Sequence, residues 1–534
     1  MPFTQHRIAV AASEMHCYRI VTNLKWLHWV ASTLMLNMAH CMGVADPLHL
    51  MILLGALILA LGFEFVNGFH DTANAVATVI YTKSLPPWAA VIWSGIWNFL
   101  GVLNSSGAVA FGVLSLLPSD LITHVISATG FAMIFSLLFS ALLWNLGTWY
   151  LGLPASSSHS LIGSILGVGL MNSYLHTGSF AGGLNWSKAE DVGMALLVSP
   201  LVGFVGTAAL MAVFRVFGRS PALNQPMEPG KSPPWWVRAS LCLTCTGVSY
   251  AHGSNDGQKG MGLLMLVLVA MVPGLYAVDL STSPESLSQI TSLSQSASQV
   301  FSRQLQAAPT NSIQAGAVLE QYLRPRASST PSLIGALAFE NNEILLTIKD
   351  QKSLAGLAAQ QRDDLRSSIY LVSETLGKLA RDPSLDPSEA SILLQYRSAL
   401  KQVIQFIPIW VKTAVALAMG LGTMVGWKRI VVTVGEKIGK AHLTCAQGAS
   451  AEFVTMATIG LADRYGLPVS TTHVLSSGVA GAMAANRSGL QMKTLRNLLL
   501  AWVLTLPVCV FMGALLFAAT LLVLAHSSGL NPSH

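Results

Sequence analysis

Charged residues are scarce in this chain. Asp, Glu, Lys and Arg make up 10% of its 534 residues, whereas soluble globular domains carry about 25%. Hydrophobic residues make up 52%, and the mean hydropathy is +0.56. This composition excludes a soluble globular protein and predicts a polytopic membrane protein of the all-α class.

Cysteine is also rare, with six residues scattered along the chain. Cys242 and Cys245 fall within one apolar span at a spacing of i and i+3. On a membrane helix this spacing favours small packing residues over a redox or metal pair. We therefore expect no redox centre at these thiols.

Negative charge is in the minority, since Lys and Arg exceed Asp and Glu by 30 to 24, a net charge of +6. In a soluble chain such an excess would suggest nucleic acid as a partner. Here the basic residues lie in the connections between apolar segments, as expected for cytoplasmic loops of membrane proteins. The expected partner is the lipid bilayer, and no nucleic acid is expected.

Long apolar runs are what the sequence does have. Eight windows approach or exceed the 20 or so residues that a spanning helix needs. They are 50–68, 88–113, 123–148, 192–217, 240–278, 406–426, 440–462 and 495–526. Two shorter runs, 160–171 and 474–484, are too short to cross alone and predict re-entrant hairpins, which are tolerated only inside protein or beside a water-filled cavity. Together the runs predict roughly 10 to 12 transmembrane segments.

One polar motif occurs twice. Gly152–His159 contains a glycine, a proline, three consecutive serines and a histidine, and Gly466–His473 repeats this order with Ser-Thr-Thr, at a constant shift (466 − 152 = 314; 473 − 159 = 314). Proline breaks a helix, and the start of the next helix favours an anion. Hydroxyl residues also cap helices, which is the alternative for either copy alone. Two matched copies favour an anion site made of Ser156, Ser157, Ser158, Ser470, Thr471 and Thr472.

A second polar cluster also recurs. Glu64–Ala75 contains Asp71, and His252–Gly260 contains Asp256, at a shift of 256 − 71 = 185. A carboxylate at the centre of a membrane helix costs roughly 2.5–3.5 kcal/mol on insertion scales, so such acids are functional candidates. The alternative is that each Asp caps a broken helix. The candidate coupling-ion and substrate residues are His70, Asp71, Asn74, Asn255, Asp256, Gln258 and Lys259.

The two shifts differ by 314 − 185 = 129 residues, which predicts an insertion in the second half. Residues 281–404 are polar, and we expect a partly helical extramembrane domain there, with 281–315 disordered. The predicted boundaries are 1–47 for an N-terminal extension, 48–218 for the first transmembrane repeat, 219–238 for a basic cytoplasmic linker, 239–280 and 405–527 for the second repeat, and 281–404 for the insert. Residues 1–47 resemble a signal sequence, and the alternatives are an extra helix or translation from a wrongly assigned upstream start codon.

The basic loops set the predicted orientation. Lys83, the 215–238 connection and the segment from Lys428 to Lys440 are basic, and placing them in the cytoplasm puts the insert outside. The two halves then enter the membrane from opposite sides. Such an inverted repeat, with broken helices that meet near the midplane, is typical of secondary transporters.

Acids beside an anion site need a charge partner. Asp71 and Asp256 cannot bind an anion directly unless they are protonated or bridged by a cation. Their presence therefore predicts coupling to a proton, a sodium ion or a divalent metal. No fixed metal site is expected, and these two carboxylates are the candidate contacts to a co-transported cation.

The motifs Asn67–Thr78, His252–Gly260 and the two hydroxyl segments closely resemble the inorganic phosphate transporter family, in particular the bacterial low-affinity phosphate permeases. The resemblance implies a multi-pass protein of the bacterial inner membrane that imports inorganic phosphate and is not an enzyme. It also implies proton symport of a neutral phosphate complex with magnesium, calcium or zinc, without a resident cofactor. A homodimer is left open.

The chain departs from the sodium-using members of that family, which carry Gly-Ala-Asn-Asp-x-x-Asn in both halves. His70 replaces the first Asn, and Lys259 replaces the last Asn of the second half. Our hypothesis is that the Lys259 ammonium takes the place of a bound sodium and that His70, whose ordinary pKa is about 6.5, takes part in proton coupling. The alternatives are a packing histidine at 70 and a sodium-coupled phosphate or sulfate permease.

The functions of five further residues are left open. His159 and His473 either anchor the hairpin tips or contact substrate, and Glu64, at i and i+7 from Asp71, is a candidate for a proton path. Gln447 and Glu452 are expected to face the bundle interior. An intramembrane hydrolase is disfavoured because the adjacent Ser158 and His159 do not point at each other, and a channel because both acids and broken helices are duplicated.

Overall fold

The structure is a computed structural model that describes residues 46–117, 128–180, 184–217, 220–225, 232–305, 309, 311–324, 330–382 and 385–527. Most of the predicted N-terminal extension and part of the linker, including Arg219 and Lys231, lie outside these residues. The chain divides into two compact units, Met1–Gly55 and Ala56–His534. The described part of the first unit is the N-terminal end of one helix, and the second unit carries everything that follows.

The described residues are helical and contain no strand, apart from one isolated bridge between Gly439 and Leu490. Before the insert the helices are α1 Pro47–Asp71, α2 Ala73–Tyr81, α3 Pro87–Asn104, α4 Ala108–Leu114, α5 Ala128–Tyr150, α6 Ser157–Thr177, α7 Trp186–Phe217, α8 Pro221–Asn224, α9 Trp235–Met271 and α10 Pro273–Tyr276. The insert carries α11 Pro284–Gln304, α12 Ser312–Leu323, α13 Leu333–Ile348, α14 Ala359–Leu379 and α15 Pro387–Ile404. The last five are α16 Ile409–Met424, α17 Lys428–Glu436, α18 Cys445–Arg464, α19 Thr471–Ala485 and α20 Met492–Ser527.

Several of these helices are suited to a bilayer. Within the described residues, four stretches are long and apolar enough to cross one: Pro47–Tyr81, Thr129–Tyr150, Trp186–Val216 and Met492–Leu524. Two bent pairs, α3 with α4 and α15 with α16, bring the number to six if each pair is one span. The all-α polytopic class is confirmed. The total of roughly 10 to 12 segments remains a prediction.

The predicted helix breaks at the duplicated motif are confirmed. Helix α5 ends at Tyr150 and α6 begins at Ser157, and α18 ends at Arg464 before α19 begins at Thr471. Gly152 and Gly466 adopt φ values of +68° and +65°, a conformation that glycine adopts without steric cost. Each motif therefore forms the tip of a helical hairpin, called hairpin 1 and hairpin 2 below.

A second pair of matched breaks supports an internal repeat. Gly107, between α3 and α4, has φ +86°, and Gly426, between α16 and α17, has φ +72°. The long helices that follow the hairpins also match, because α7 contains Pro200 and α20 contains Pro507. Among the described residues, the helices from α3 to α7 and those from α16 to α20 thus follow one order of helices and breaks, whereas α9 has no break like the one between α1 and α2. Their inverted orientation in the membrane remains a prediction.

Each hairpin packs on a long helix of the other half. In hairpin 1, a Cβ at Gly167 of α6 would collide with the Val510 carbonyl oxygen of α20. In hairpin 2, a Cβ at Gly481 of α19 would collide with the Phe204 carbonyl oxygen of α7. Small residues allow membrane helices to approach this closely. These crossed contacts bring the two hairpin tips together.

The insert forms a helical bundle with a core of its own. Its buried side chains include Leu287, Ile290, Phe301, Leu337, Leu376 and Tyr396. The prediction of disorder at 281–315 is wrong, because α11 and α12 lie there. Leu287, Ile290, Ala297 and Phe301 recur at helical spacing and are buried, so the serine-rich composition hid an amphipathic helix.

Two arginines join the insert to the end of the α9–α10 segment. Arg362 donates to the Gly274 carbonyl oxygen, and the Arg366 guanidinium donates to the Ala277 oxygen at 3.1 Å. Burial lowers the pKa of Arg366 to about 10, so the side chain stays cationic at neutral pH. The Asp279 amide also donates to the Val403 oxygen at 2.8 Å, which brings the two ends of the insert together.

Candidate functional site

Asp71, at the C-terminal end of α1, receives hydroxyl groups from both hairpins. Ser157 of hairpin 1 donates to its Oδ2 at 3.3 Å, and Thr472 of hairpin 2 donates to its Oδ1. The Asn74 amide donates to Oδ1 at 3.2 Å. All four side chains are buried. The two copies of the duplicated motif therefore meet at one carboxylate.

Asp256, from the middle of α9, faces the same space. The Thr471 hydroxyl lies 3.4 Å from Asp256 Oδ2 and 3.5 Å from Asp71 Oδ2, so one hydroxyl of hairpin 2 reaches both acids. Helix α9 runs without interruption from Trp235 to Met271. Asp256 therefore does not cap a helix, and the capping alternative is wrong for this residue.

His252 lies between the two acids. Its Nε2 is 3.7 Å from Asp71 Oδ2 and 3.5 Å from Asp256 Oδ2, and its Nδ1 is 2.7 Å from Asn98 Oδ1. With Nδ1 donating to Asn98, Nε2 faces the carboxylates: in the imidazolium it donates a proton to them, and in the neutral ring its lone pair is available to a cation that binds between them. His252 belongs to a motif that the sequence reveals, but it was not among the predicted site residues. The signal was its spacing of i and i+4 from Asp256, which puts both side chains on one helix face.

The same three side chains have the geometry of a candidate cation site. One ligand atom each from Asp71, His252 and Asp256 lies within 4.8 Å of the others, and all three residues are buried. Oxygen and imidazole nitrogen are ligands that divalent cations accept. Asn98 supplies the hydrogen bond to the other ring nitrogen that orients a metal-binding histidine.

Lys259 joins the two halves through three oxygen atoms. Its Nζ lies 2.6 Å from Asp256 Oδ1, 2.5 Å from Ser158 Oγ and 3.4 Å from the Val469 carbonyl oxygen. The ammonium is buried and forms an ion pair with Asp256. It thus sits in an oxygen-lined position between α9, hairpin 1 and hairpin 2.

The six hydroxyl residues divide into two groups. Ser156 accepts a hydrogen bond from the His159 amide, and Ser470 accepts one from the His473 amide, each at 3.2 Å. These two serines are N-caps of α6 and α19, as the capping alternative expects. Ser157, Ser158, Thr471 and Thr472 instead contact Asp71, Asp256 or Lys259, as described above.

Three other predicted residues lie around this centre rather than in it. His70 Nε2 is 3.2 Å from Thr148 Oγ1, and its Nδ1 is 4.0 Å from Asp71 Oδ1. Asn255 donates to the Leu467 carbonyl oxygen at 3.2 Å and so contacts the tip of hairpin 2. Gln258 does not contact Asp71 or Asp256.

Gln258 connects α4 to α18. Its Oε1 accepts from the Val109 amide at 2.8 Å, and its Nε2 donates to Asp463 Oδ1 at 2.5 Å. On a continuous helix, positions two apart point about 200° away from each other, so Gln258 and Asp256 face different neighbours.

His159 and His473 pack against each other behind the hairpin tips, with their rings tilted by 41°. Their ring centroids are 4.5 Å apart, and the His473 ring lies 4.3 Å from that of Trp502. Trp502 Nε1 donates to the Pro154 carbonyl oxygen at 3.1 Å. This arrangement matches an anchoring function for the two histidines.

Two further acids, Glu64 and Glu452, are buried in the described part of the chain. Glu64 accepts from Asn67 at 3.4 Å, and its Cγ lies against the backbone of Gly260. Glu452 accepts from Thr244 at 2.5 Å. Gln447 belongs to a capping box with Thr444 at the start of α18, so its side chain is used at the helix end.

The long apolar helices and the buried, duplicated polar centre define a polytopic membrane protein of the transporter class. Residues 67–513 match the phosphate transporter family. The chain belongs to that family, whose members are permeases and not enzymes.

The curated relatives match along most of their length. The low-affinity inorganic phosphate transporter PitA of Escherichia coli K12 is 40% identical over 489 residues, which cover 88% of this chain and 96% of that protein. PitB of the same strain is 39% identical over 485 residues, covering 88% and 96%. A probable low-affinity inorganic phosphate transporter of Bacillus subtilis is 28% identical, covering 86% and 95%. A solved sodium-dependent phosphate transporter aligns with a TM-score of 0.48 at 18% identity, covering 89% of this chain and all of that one.

Proposed function

We propose that this chain imports inorganic phosphate across the bacterial inner membrane by proton symport, as a neutral complex with a divalent metal, through alternating access. The observation that carries the proposal is the convergence of Ser157 and Thr472 on Asp71 beside Asp256. Hydroxyls donate to phosphate oxygens without adding fixed charge. The phosphate is therefore bound less tightly than it would be by fixed positive charges, which allows the transporter to release it.

The metal in the transported complex has a physical reason. Two carboxylates would repel a bare phosphate anion, since like charges at close range in a buried site are strongly unfavourable. A divalent cation between Asp71, His252 and Asp256 would neutralise that repulsion and present its open positions to phosphate oxygens. In this proposal the cation is cargo and leaves with the phosphate.

Proton coupling rests on the same acids. Asp71 and Asp256 are able to exchange protons as the site opens to each side, and His70 lies 4.0 Å from Asp71. The ion pair between Lys259 and Asp256 supports transport without sodium, because the ammonium already supplies a cation among three oxygens. Asn74 retains the residue type of sodium-using members in the first half, so sodium remains the alternative that the experiment must exclude.

The test is radiolabelled phosphate uptake into proteoliposomes that contain the purified chain. The proposal predicts accumulation in sodium-free buffer when the interior is alkaline, loss of accumulation with a protonophore, and a requirement for magnesium or another divalent metal. Unlabelled arsenate should compete and sulfate should not. Uptake that strictly requires sodium, or that sulfate abolishes, would overturn the proposal in favour of a sodium-coupled or sulfate permease.

A further inference from the structure

A second basic site lies outside the buried centre, at the tip of hairpin 1. A groove of about 660 Å³ separates the end of α5 from the start of α17. Its lining includes the aromatic residues Trp149, Tyr150 and Trp427 and the basic residues Lys428, Arg429 and Lys437. We call it the basic groove.

The basic groove carries uncompensated positive charge. None of the described residues that line it is acidic. Within the described part of the chain, no carboxylate lies within 4.0 Å of a side-chain nitrogen of its three basic residues. Lys428, Arg429 and Lys437 are exposed. The groove therefore offers three cations to an outside anion.

One of these cations is held in place. Arg429 donates to the Tyr150 carbonyl oxygen at 2.6 Å, and its guanidinium lies 5.2 Å above the Trp149 ring and 5.0 Å from the Tyr150 ring. Trp149 in turn donates to the Gly426 carbonyl oxygen at 2.9 Å. Stacking of this kind fixes a guanidinium that still has free donors. An anion that binds here loses little entropy in ordering its partner.

The surroundings of the groove resemble a membrane headgroup layer. Tyr150 and Leu151 are 67% and 69% exposed, and Trp and Tyr are enriched at the level where lipid headgroups meet acyl chains. Basic pockets between membrane helices on the cytoplasmic side bind anionic headgroups. In the orientation predicted from the basic loops, α17 lies on that side. An exposed apolar rim beside three cations suits an amphiphile better than free phosphate.

We propose that the basic groove binds the phosphate headgroup of an anionic glycerophospholipid such as phosphatidylglycerol. The lipid phosphate contacts Lys428, Arg429 and Lys437, and its acyl chains lie along Tyr150 and Leu151. Thr433 of α17 donates to the Gly152 carbonyl oxygen at 2.9 Å, so a lipid at this place also holds hairpin 1 against α17. This proposal does not depend on how uptake is energised.

The test compares lipid binding by the full-length chain and two double variants. Lys428→Gln/Lys437→Gln removes two cations but leaves the contacts of Arg429 with hairpin 1 intact. Lys349→Gln/Lys352→Gln removes two exposed cations from the insert and is the matched control. Affinity for short-chain phosphatidylglycerol, phosphatidylcholine and inorganic phosphate is measured from the rise in melting temperature of the detergent-solubilised protein.

The proposal predicts that phosphatidylglycerol stabilises the native chain and the control, and that phosphatidylcholine does not. The groove variant should bind phosphatidylglycerol about 25-fold more weakly, since each cation near an anionic surface contributes about 1 kcal/mol, or about five-fold. Stabilisation by inorganic phosphate should be the same in all three proteins. Equal phosphatidylglycerol affinity in all three would overturn the proposal, and loss of inorganic phosphate binding alone would assign the groove to free phosphate.

Discussion

Asp71 and Asp256 lie 185 positions apart in the chain (256 − 71 = 185), and both lie within 3.7 Å of one nitrogen, Nε2 of His252. The two acids come from corresponding places in the two halves. Because a histidine nitrogen and two carboxylate oxygens converge there, the centre has the charge of a cation site, while the adjacent hydroxyls have the chemistry of an anion site. The predictions below follow from this pairing.

The first prediction concerns His252. Replacement by glutamine removes the imidazole nitrogen that faces both carboxylates, so the magnesium concentration that gives half-maximal phosphate uptake should rise about ten-fold or more. Uptake against buffered magnesium measures it. The matched control is His176→Gln. His176 forms a hydrogen bond with the Asn172 carbonyl oxygen of its own helix. An unchanged magnesium requirement in His252→Gln would show that the cation does not bind there.

The second prediction concerns Lys259. Lys259→Asn restores the residue type of sodium-using members and removes the ion pair to Asp256. The substitution leaves the buried Asp256 carboxylate without its cation, so we expect at least about a ten-fold fall in sodium-free uptake and partial recovery when added sodium supplies a cation. Lys493→Asn, at an exposed position, should behave as the native chain. A folded Lys259→Asn protein that ignores sodium would contradict the hypothesis.

The third prediction separates the two kinds of hydroxyl. Thr471→Val removes a hydroxyl within 3.5 Å of both acids and should raise the KM for phosphate about ten-fold, because a hydrogen bond to a charged group contributes about 1.5–3 kcal/mol. Ser470→Ala removes only the cap of α19, which should cost about 0.5–2 kcal/mol of stability without changing KM. Uptake kinetics and thermal unfolding measure the two effects. The reverse pattern would mean that Ser470 binds substrate.

The fourth prediction concerns the histidine stack. A double-mutant cycle of His159→Ala and His473→Ala should give a coupling energy of about 0.5–1.5 kcal/mol in unfolding, as expected for two aromatic rings in contact. The rings are 4.5 Å apart. A parallel cycle of His159→Ala with Trp88→Ala should give no coupling, since Trp88 is 68% exposed. Coupling near zero in the first cycle would remove the anchoring function.

The fifth prediction concerns the insert. Replacing residues 281–402 with a short Gly/Ser linker should leave phosphate uptake within about two-fold of the native rate. The bundle has its own core, and the Asp279 amide lies 2.8 Å from the Val403 carbonyl oxygen, so a short linker closes the gap at little entropic cost. Transport rates normalised to the amount of reconstituted protein measure the effect. A loss of uptake in a correctly folded variant would assign the insert a part in transport.

Much of the fold could be predicted from the sequence, because the residues that end helices do so through local backbone conformation. Gly152 and Gly466 mark hairpin tips through a backbone conformation that favours glycine, and the constant shift of 314 between the motifs (466 − 152 = 314) exposes the repeat. The matched pair Gly107 and Gly426 escaped prediction, because their neighbouring sequences differ and only the backbone angles reveal the correspondence.

The site was harder to predict, because side-chain direction depends on whether a helix continues. Asp256 looks like a residue at a helix break beside Gly253 and Gly257, but α9 continues through it. The face of α9 that points toward Asp71 therefore carries His252, Asp256 and Lys259, at spacings of i, i+4 and i+7. Gln258 falls on another face, and His252 belongs in the site.

In the insert, composition is a poor guide to structure. Pro284–Gln304 is rich in serine and glutamine, which favours disorder when no partner surface is known. Leu287, Ile290 and Phe301 pack against the other helices of the bundle. Tertiary burial therefore decides the state of this segment, and local composition does not reveal it.

The most direct test of the account is an experimental map of the full-length protein with phosphate and magnesium bound. We expect tetrahedral density in contact with Ser157 or Ser158 from hairpin 1 and with Thr471 or Thr472 from hairpin 2. This density should lie next to a cation held by Asp71, His252 and Asp256. Phosphate density that contacts the hydroxyls of one hairpin alone, or that lies away from both acids, would contradict it.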